Sequence, residues 1–142
     1  MKILIVDDDT AISEVWSLWL TREGFQVISA TSGREGFNLA KKEMPDLVLL
    51  DQIMPDIKGN DVLRMLKADP QAKSIPVALV SNYSENHLMQ EAIQQGAIDY
   101  ILKFQIEPQD LVNRAKTLIQ EGKTTGQQPP AQPPIAPPVA PL

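Results

Sequence analysis

The chain has 142 residues with a net charge of −5, a length that suits one compact domain with its own core. It contains no cysteine, which excludes disulfides, thiolate metal sites and a cysteine nucleophile and suits a reducing cytoplasm. It has no secretory signal, no basic stripe and no apolar run near the roughly 20 residues of a membrane span, so we expect a cytoplasmic protein without nucleic-acid binding or membrane insertion.

Five short runs rich in Val, Ile and Leu predict β-strands. Three of these runs are apolar throughout, which is typical of strands buried on both faces of a parallel sheet. In chain order the predicted strands are 3–6, 25–30, 47–50, 77–80 and 98–102, of which the first, third and fourth are the wholly apolar ones.

Helical patterns separate the predicted strands. Gly24 is placed to end the first helix, and Ser32 and Glu35 have capping-box spacing at the start of the second. Proline is favoured in the first turn of a helix, as at Pro108 in the fifth. The other helix signals are an apolar stripe in the first helix (Ile12, Val15, Trp16, Trp19), a third helix over 60–67, and a Ser84 cap and a closing Gly96 for the fourth.

Five successive β–α units predict an α/β fold, a doubly wound parallel sheet of five strands with helices on both faces. Such sheets form binding sites outside the carboxyl ends of their strands. Residues 123–142 differ in composition, since they hold seven of the twelve prolines and one charged side chain. We therefore expect a domain over 1–122, followed by a proline-rich disordered tail that serves as a solvated linker or as a docking motif.

Polar side chains directly follow four of the predicted strands. Asp7 and Asp8 follow the first strand, Asp51 the third, Ser81 the fourth and Lys103 the fifth. Clustered carboxylates repel one another unless a cation is present, and oxygen ligands suit Mg²⁺. A lysine and a hydroxyl group facing them would suit a phosphoryl group. The set predicts phosphoryl transfer, in which a carboxylate can act as the nucleophile.

Several segments of the chain resemble the receiver domain of two-component response regulators. The likeness covers about residues 1–121 and is carried by four motifs. These are Ile3-Leu4-Ile5-Val6-Asp7-Asp8-Asp9, Leu47-Val48-Leu49-Leu50-Asp51-Gln52-Ile53-Met54-Pro55, Ser81 after the fourth strand, and Tyr100-Ile101-Leu102-Lys103.

The resemblance implies a stand-alone, single-domain member with the flavodoxin-like strand order 2-1-3-4-5 and five helices. It also implies phosphorelay signalling without substrate turnover, in which the protein assists its own phosphorylation and dephosphorylation. The partners would be a sensor histidine kinase or a histidine phosphotransfer protein, and a downstream protein target of unknown identity. A homodimer through the fourth helix, fifth strand and fifth helix is left open.

The resemblance further implies a role for each site residue. Asp51 would be the phosphoacceptor, and Ser81 and Lys103 would bind phosphoryl oxygens. Tyr100 would be an aromatic switch that responds to Ser81. The implied Mg²⁺ ligands are Asp7, Asp8, Asp51 and the backbone carbonyl of Ile53.

Two positions depart from the pattern of the family. Asn82 replaces a small residue and Phe104 replaces a proline. The peptide bond before Phe104 is expected to be trans, because a cis bond there would cost about 2.5–4 kcal/mol. Bulky residues at Ile53 and Tyr83, two positions after Asp51 and Ser81, predict slow loss of phosphate.

Three alternatives remain open. A receiver-like adaptor would bind partners without taking phosphate. A haloacid dehalogenase-like phosphatase would use Asp7 as its nucleophile, although Ala11 departs from that motif. A flavin-binding module would need a phosphate-cradling loop where this chain has three aspartates.

Overall fold

A computed structural model of the protein describes residues 1–82 and 86–125. The predicted Ser84 cap, Tyr83 and the tail from residue 126 onward lie outside the described residues. Within the described ranges no helix combines the length and the apolar character that crossing a bilayer requires.

Strands and helices alternate along the whole described chain. All four strand pairings are parallel, and the strand order is β2-β1-β3-β4-β5, which confirms the predicted doubly wound α/β fold. The elements are β1 (Lys2–Val6), α1 (Thr10–Arg22), β2 (Gln26–Ala30), α2 (Gly33–Glu43), β3 (Leu47–Asp51), α3 (Gly59–Ala68), β4 (Val77–Ser81), α4 (Asn86–Gln94), β5 (Asp99–Leu102) and α5 (Pro108–Thr125).

The central strands are apolar throughout because both of their faces are covered. Alternate residues of a strand point to opposite faces of the sheet. On β3, Val48 and Leu50 pack in the cluster that includes Leu63 of α3, whereas Leu47 and Leu49 pack in the cluster that includes α1 and α5 residues. The two clusters form the core on the two sides of the sheet.

Several helix ends are capped locally, and those at Ser32, Gly24 and Gly96 follow the predicted chemistry. The Asp9 carboxylate accepts hydrogen bonds from the first turn of α1, and the Ser32 hydroxyl accepts one from the Glu35 N–H at 3.2 Å. Gly24 and Gly96 have φ values of +99° and +106°, which favour glycine. Met44 ends α2 in the left-handed region at φ 48°, a role that its residue type does not predict.

One expectation about a helix needs correction. Val15 belongs to the predicted apolar stripe of α1, but its side chain is 47% exposed. The stripe on α1 that contacts the core is narrower and includes the buried Trp16 and Leu20. The fifth helix begins at Pro108, as predicted, and continues to Thr125.

Candidate functional site

The pairing of the strands brings the predicted acidic residues together. Val6 of β1 lies beside Leu50 of β3 in the parallel register. The residue that follows Val6 is Asp7, and the residue that follows Leu50 is Asp51, so the two aspartates are neighbours. Both lie at the carboxyl edge of the sheet, where β1 separates from β3 and the winding direction reverses.

Asp7, Asp8 and Asp51 form an acidic cluster. One carboxylate oxygen from each residue lies within 4.8 Å of those of the other two. Asp7 and Asp51 are buried, with 2% and 6% of their surfaces exposed, whereas Asp8 is exposed. The backbone N–H of Asp9 donates a hydrogen bond to Asp7 Oδ1 at 2.8 Å, which fixes the orientation of that carboxylate.

Lys103 connects the two buried carboxylates. Its Nζ lies 2.9 Å from Asp7 Oδ2 and 3.2 Å from Asp51 Oδ1, and the lysine side chain is only 5% exposed. The backbone N–H of Lys103 donates to the carbonyl of Ser81 at 2.8 Å, which ties the end of β5 to the end of β4. Burial lowers the pKa of Lys103, but the hydrogen bond to Asp7 and the two negative charges outweigh it and raise the pKa.

The ionised form of Asp51 is disfavoured in the folded protein. Burial, followed by repulsion from Asp7, raises its pKa from 3.8 to about 6, although attraction to Lys103 partly offsets both effects. A nearby cation stabilises the charged form of such a carboxylate. The donor set therefore fits a hard divalent cation with oxygen ligands.

The remaining predicted residues lie around this cluster or in the core. Ser81 is 1% exposed and ends β4. Tyr100 is 6% exposed and packs in the core cluster that includes residues of α3 and α4. Ile53 lies in the loop after Asp51 with its side chain 52% exposed.

The two residues that depart from the family pattern are both exposed. Phe104 is 73% exposed, and Asn82 is also exposed. The contacts of Lys103 with Asp7 and Asp51 are formed with phenylalanine at position 104.

Gln52 is a site-supporting residue that the sequence analysis missed. Its side chain is buried, and its Oε1 accepts a hydrogen bond from the Asn60 N–H at 2.8 Å. Its carbonyl accepts a second bond from the Gly59 N–H at 2.8 Å. Gln52 thus joins the end of β3 to the first turn of α3. A polar residue next to Asp51 in an otherwise apolar run was the signal that could have found it.

The fold and the site together define a class of protein, a doubly wound α/β domain with carboxylates and a lysine at the switch point of its sheet. The chain belongs to the response regulator receiver domain family, whose model matches residues 3–116. It is a receiver domain of the kind that serves phosphorelay signalling.

Individual relatives agree with this assignment. The chain is 38% identical over 124 residues to a probable transcriptional regulatory protein, SilR, of Salmonella typhimurium, a match that covers 87% of this chain and 53% of SilR. It is 31% identical over 122 residues to the transcriptional regulatory protein AfsQ1 of Streptomyces coelicolor, covering 86% of this chain and 52% of AfsQ1. The chain thus spans about half the length of these curated relatives.

Solved structures show the same fold. A CheY-like response regulator receiver domain protein from Methanospirillum hungatei is 31% identical with a TM-score of 0.78, and the match covers 87% of this chain and 96% of that one. The BeF3-activated N-terminal receiver domain of RstA from Klebsiella pneumoniae is 28% identical with a TM-score of 0.77, covering 84% of this chain and 99% of that one.

Proposed function

We propose that the chain accepts a phosphoryl group on Asp51 from a phosphohistidine of a sensor histidine kinase or a histidine phosphotransfer protein. The observation that carries this proposal is the position of the Lys103 ammonium group, within 3.2 Å of both Asp51 and Asp7 in a largely buried pocket. A phosphoryl group on Asp51 would find this donor within reach.

The proposed step is an in-line displacement at phosphorus. A carboxylate oxygen of Asp51 attacks the phosphorus atom, the P–N bond breaks, and its electron pair returns to the imidazole ring. Lys103 then donates to a phosphoryl oxygen, and the Ser81 hydroxyl provides a further donor. Asp7, Asp8, Asp51 and the carbonyl of Ile53 would hold Mg²⁺, which when bound neutralises negative charge on the phosphoryl oxygens.

The surroundings of Asp7 favour Asp51 as the nucleophile. Both carboxylate oxygens of Asp7 accept hydrogen bonds, Oδ1 from the Asp9 N–H and Oδ2 from Lys103. A carboxylate held on both oxygens is a poorer nucleophile because its lone pairs are already engaged. This argues against a phosphatase that would use Asp7.

The phosphoryl group on Asp51 would act as a signal retained by the domain rather than as a turnover intermediate. Ser81 would contact the phosphoryl group, and the buried Tyr100 on neighbouring β5 would respond to the movement of Ser81. We propose that a protein partner in the cytoplasm binds the changed surface of α4, β5 and α5. A second copy of the chain is one candidate for this partner.

Incubation with acetyl phosphate and Mg²⁺, followed by intact mass measurement, tests this proposal. We expect one added phosphoryl group, which a chelator and the Asp51→Asn variant both abolish. Borohydride reduction converts a phosphorylated aspartate to homoserine, and peptide sequencing then locates it. Homoserine at position 7 instead of position 51 would support the phosphatase-like alternative. A wild-type protein that takes no label would favour an adaptor that works without phosphorylation.

A further inference from the structure

The loop between β3 and α3 carries Ile53, whose backbone carbonyl is one of the proposed metal ligands. The loop is closed at its base, where the Gln52 carbonyl accepts the Gly59 N–H at 2.8 Å. Between these ends the chain has no regular structure. The position of the Ile53 carbonyl therefore depends on where the loop is attached along its length.

Asp56 attaches this loop to another helix. Its Oδ1 accepts a hydrogen bond from the Gly33 N–H at 2.9 Å, and its Oδ2 accepts one from the Arg34 N–H at 3.0 Å. These are the first two N–H groups of α2, which no carbonyl inside the helix can satisfy. The two hydrogen bonds lower the pKa of Asp56, so its carboxylate stays charged at neutral pH and suits the positive end of the helix dipole.

The contact between the loop and α2 is close as well as polar. A Cβ atom on Gly33 would lie 2.9 Å from Val62 Cγ2 and 3.1 Å from Ile57 Cβ. The absence of a side chain at position 33 therefore lets the start of α2 approach the loop closely enough for both Asp56 bonds.

Two restraints connect Asp56 to Ile53. Pro55 has a fixed φ and limits the residue before it to extended conformations, so the segment from Met54 to Asp56 is stiff. The Met54 side chain is buried in the core cluster and provides the second attachment of the loop. The partly buried Ile57 also packs against this cluster, so Asp56 adds the polar attachment to the apolar ones of Met54 and Ile57.

We propose that Asp56 is a positioning residue for the metal site: by capping α2 it holds the β3–α3 loop, and with it the Ile53 carbonyl, in the geometry that binds Mg²⁺. The inference rests on the proposed Mg²⁺ site. It assigns Asp56 no contact with the metal, and it makes the start of α2 part of the support of that site.

Calorimetric titration with Mg²⁺ on the full chain tests the inference. We expect Asp56→Ala to weaken Mg²⁺ binding about tenfold, the size typical for the loss of a supporting partner of a ligand. Asp56→Asn has the same charge as the alanine variant but keeps an oxygen acceptor for the Gly33 N–H. Its loss of Mg²⁺ affinity should therefore be smaller. Equal losses in the two variants would indicate a charge effect and would overturn the proposal.

Asp69 provides a matched control. Its carboxylate also accepts two backbone N–H bonds, from Gln71 and Ala72, and in addition pairs with Lys41. It lies at the other end of α3, about 15 Å along the helix from the site. Asp69→Ala should lower the melting temperature but leave the Mg²⁺ affinity within about twofold of wild type.

Phosphoryl labelling with acetyl phosphate on the same samples separates the two proposals. In one outcome, wild type binds Mg²⁺ and takes the label, and Asp56→Ala binds Mg²⁺ with unchanged affinity. That result would overturn the role of Asp56 and leave the phosphoacceptor function standing. Weakened Mg²⁺ binding in Asp56→Ala but no label on wild type would support the role of Asp56 and refute the phosphoacceptor function. Wild type that binds no Mg²⁺ would overturn the positioning role.

Discussion

Replacement of Asp51 by asparagine should stabilise the metal-free protein at neutral pH. The folded protein raises the pKa of Asp51 from 3.8 to about 6, through burial and then through repulsion from Asp7. Ionised Asp51 is therefore less favourable in the folded protein than in the unfolded chain. Asparagine resembles the protonated carboxyl group in shape and carries no charge, so it removes this cost while it keeps an oxygen that can accept from Lys103.

The direction and the size of the effect follow from proton linkage. Below pH 3.8 the carboxyl group is protonated in both states, and the variant has no advantage. Between about pH 4 and pH 6 the unfolded chain loses the proton while the folded protein retains it, so wild-type stability falls as pH rises. Above pH 6 the difference is constant at about 3 kcal/mol, an upper limit because the neighbouring groups can relax.

Urea denaturation in the presence of a chelator measures this difference. We expect Asp51→Asn to be more stable than wild type by about 1–3 kcal/mol at neutral pH and by much less at about pH 4. Asp8→Asn is the control, because Asp8 is exposed and contributes least to the pKa of Asp51. A variant that is no more stable than wild type at neutral pH would refute the claim that the buried charge of Asp51 is costly.

Three further changes test the loop after Asp51. Gly59→Ala should destabilise the fold by about 1–3 kcal/mol in urea denaturation, because the new methyl group would lie 2.8 Å from Gln52 Cα and against the Asp51 carbonyl. Gln52→Leu should cost about 1–3 kcal/mol in the same assay because the Asn60 N–H loses its acceptor. Ile53→Asn should shorten the lifetime of the phosphoryl label, since an amide can orient an attacking water; an unchanged lifetime would contradict this.

The sheet could be predicted from the sequence because its central strands are buried on both faces. Runs such as 47–50 and 77–80 are apolar throughout, and the strands are Leu47–Asp51 and Val77–Ser81. Local capping residues such as Ser32 and Gly24 were also readable, since their hydrogen bonds and dihedral angles involve only near neighbours in the chain.

The features that the sequence did not predict depend on contacts between distant segments. The Asp56 carboxylate caps a helix that begins 23 residues earlier in the chain, and no local pattern marks that pairing. Similarly, the sequence placed Lys103 at a strand end but did not indicate that it would contact Asp7 as closely as Asp51. Val15 followed the helical spacing of core residues, yet its side chain is 47% exposed.

The acidic cluster shows why the proposed metal site would need support from outside its own ligands. Asp7 and Asp51 are buried together, and in this structure the Lys103 ammonium group supplies the positive charge between them. A divalent cation that binds there competes with a tethered lysine, so its affinity depends on ligands that are already in place. Asp51 ends β3 and Asp7 directly follows β1, whereas Asp8 and the carbonyl of Ile53 lie on loops. The bonds from Asp56 to α2 and from Gln52 to α3 hold the β3–α3 loop without a cation, and we expect this to lower the ordering cost of Mg²⁺ binding.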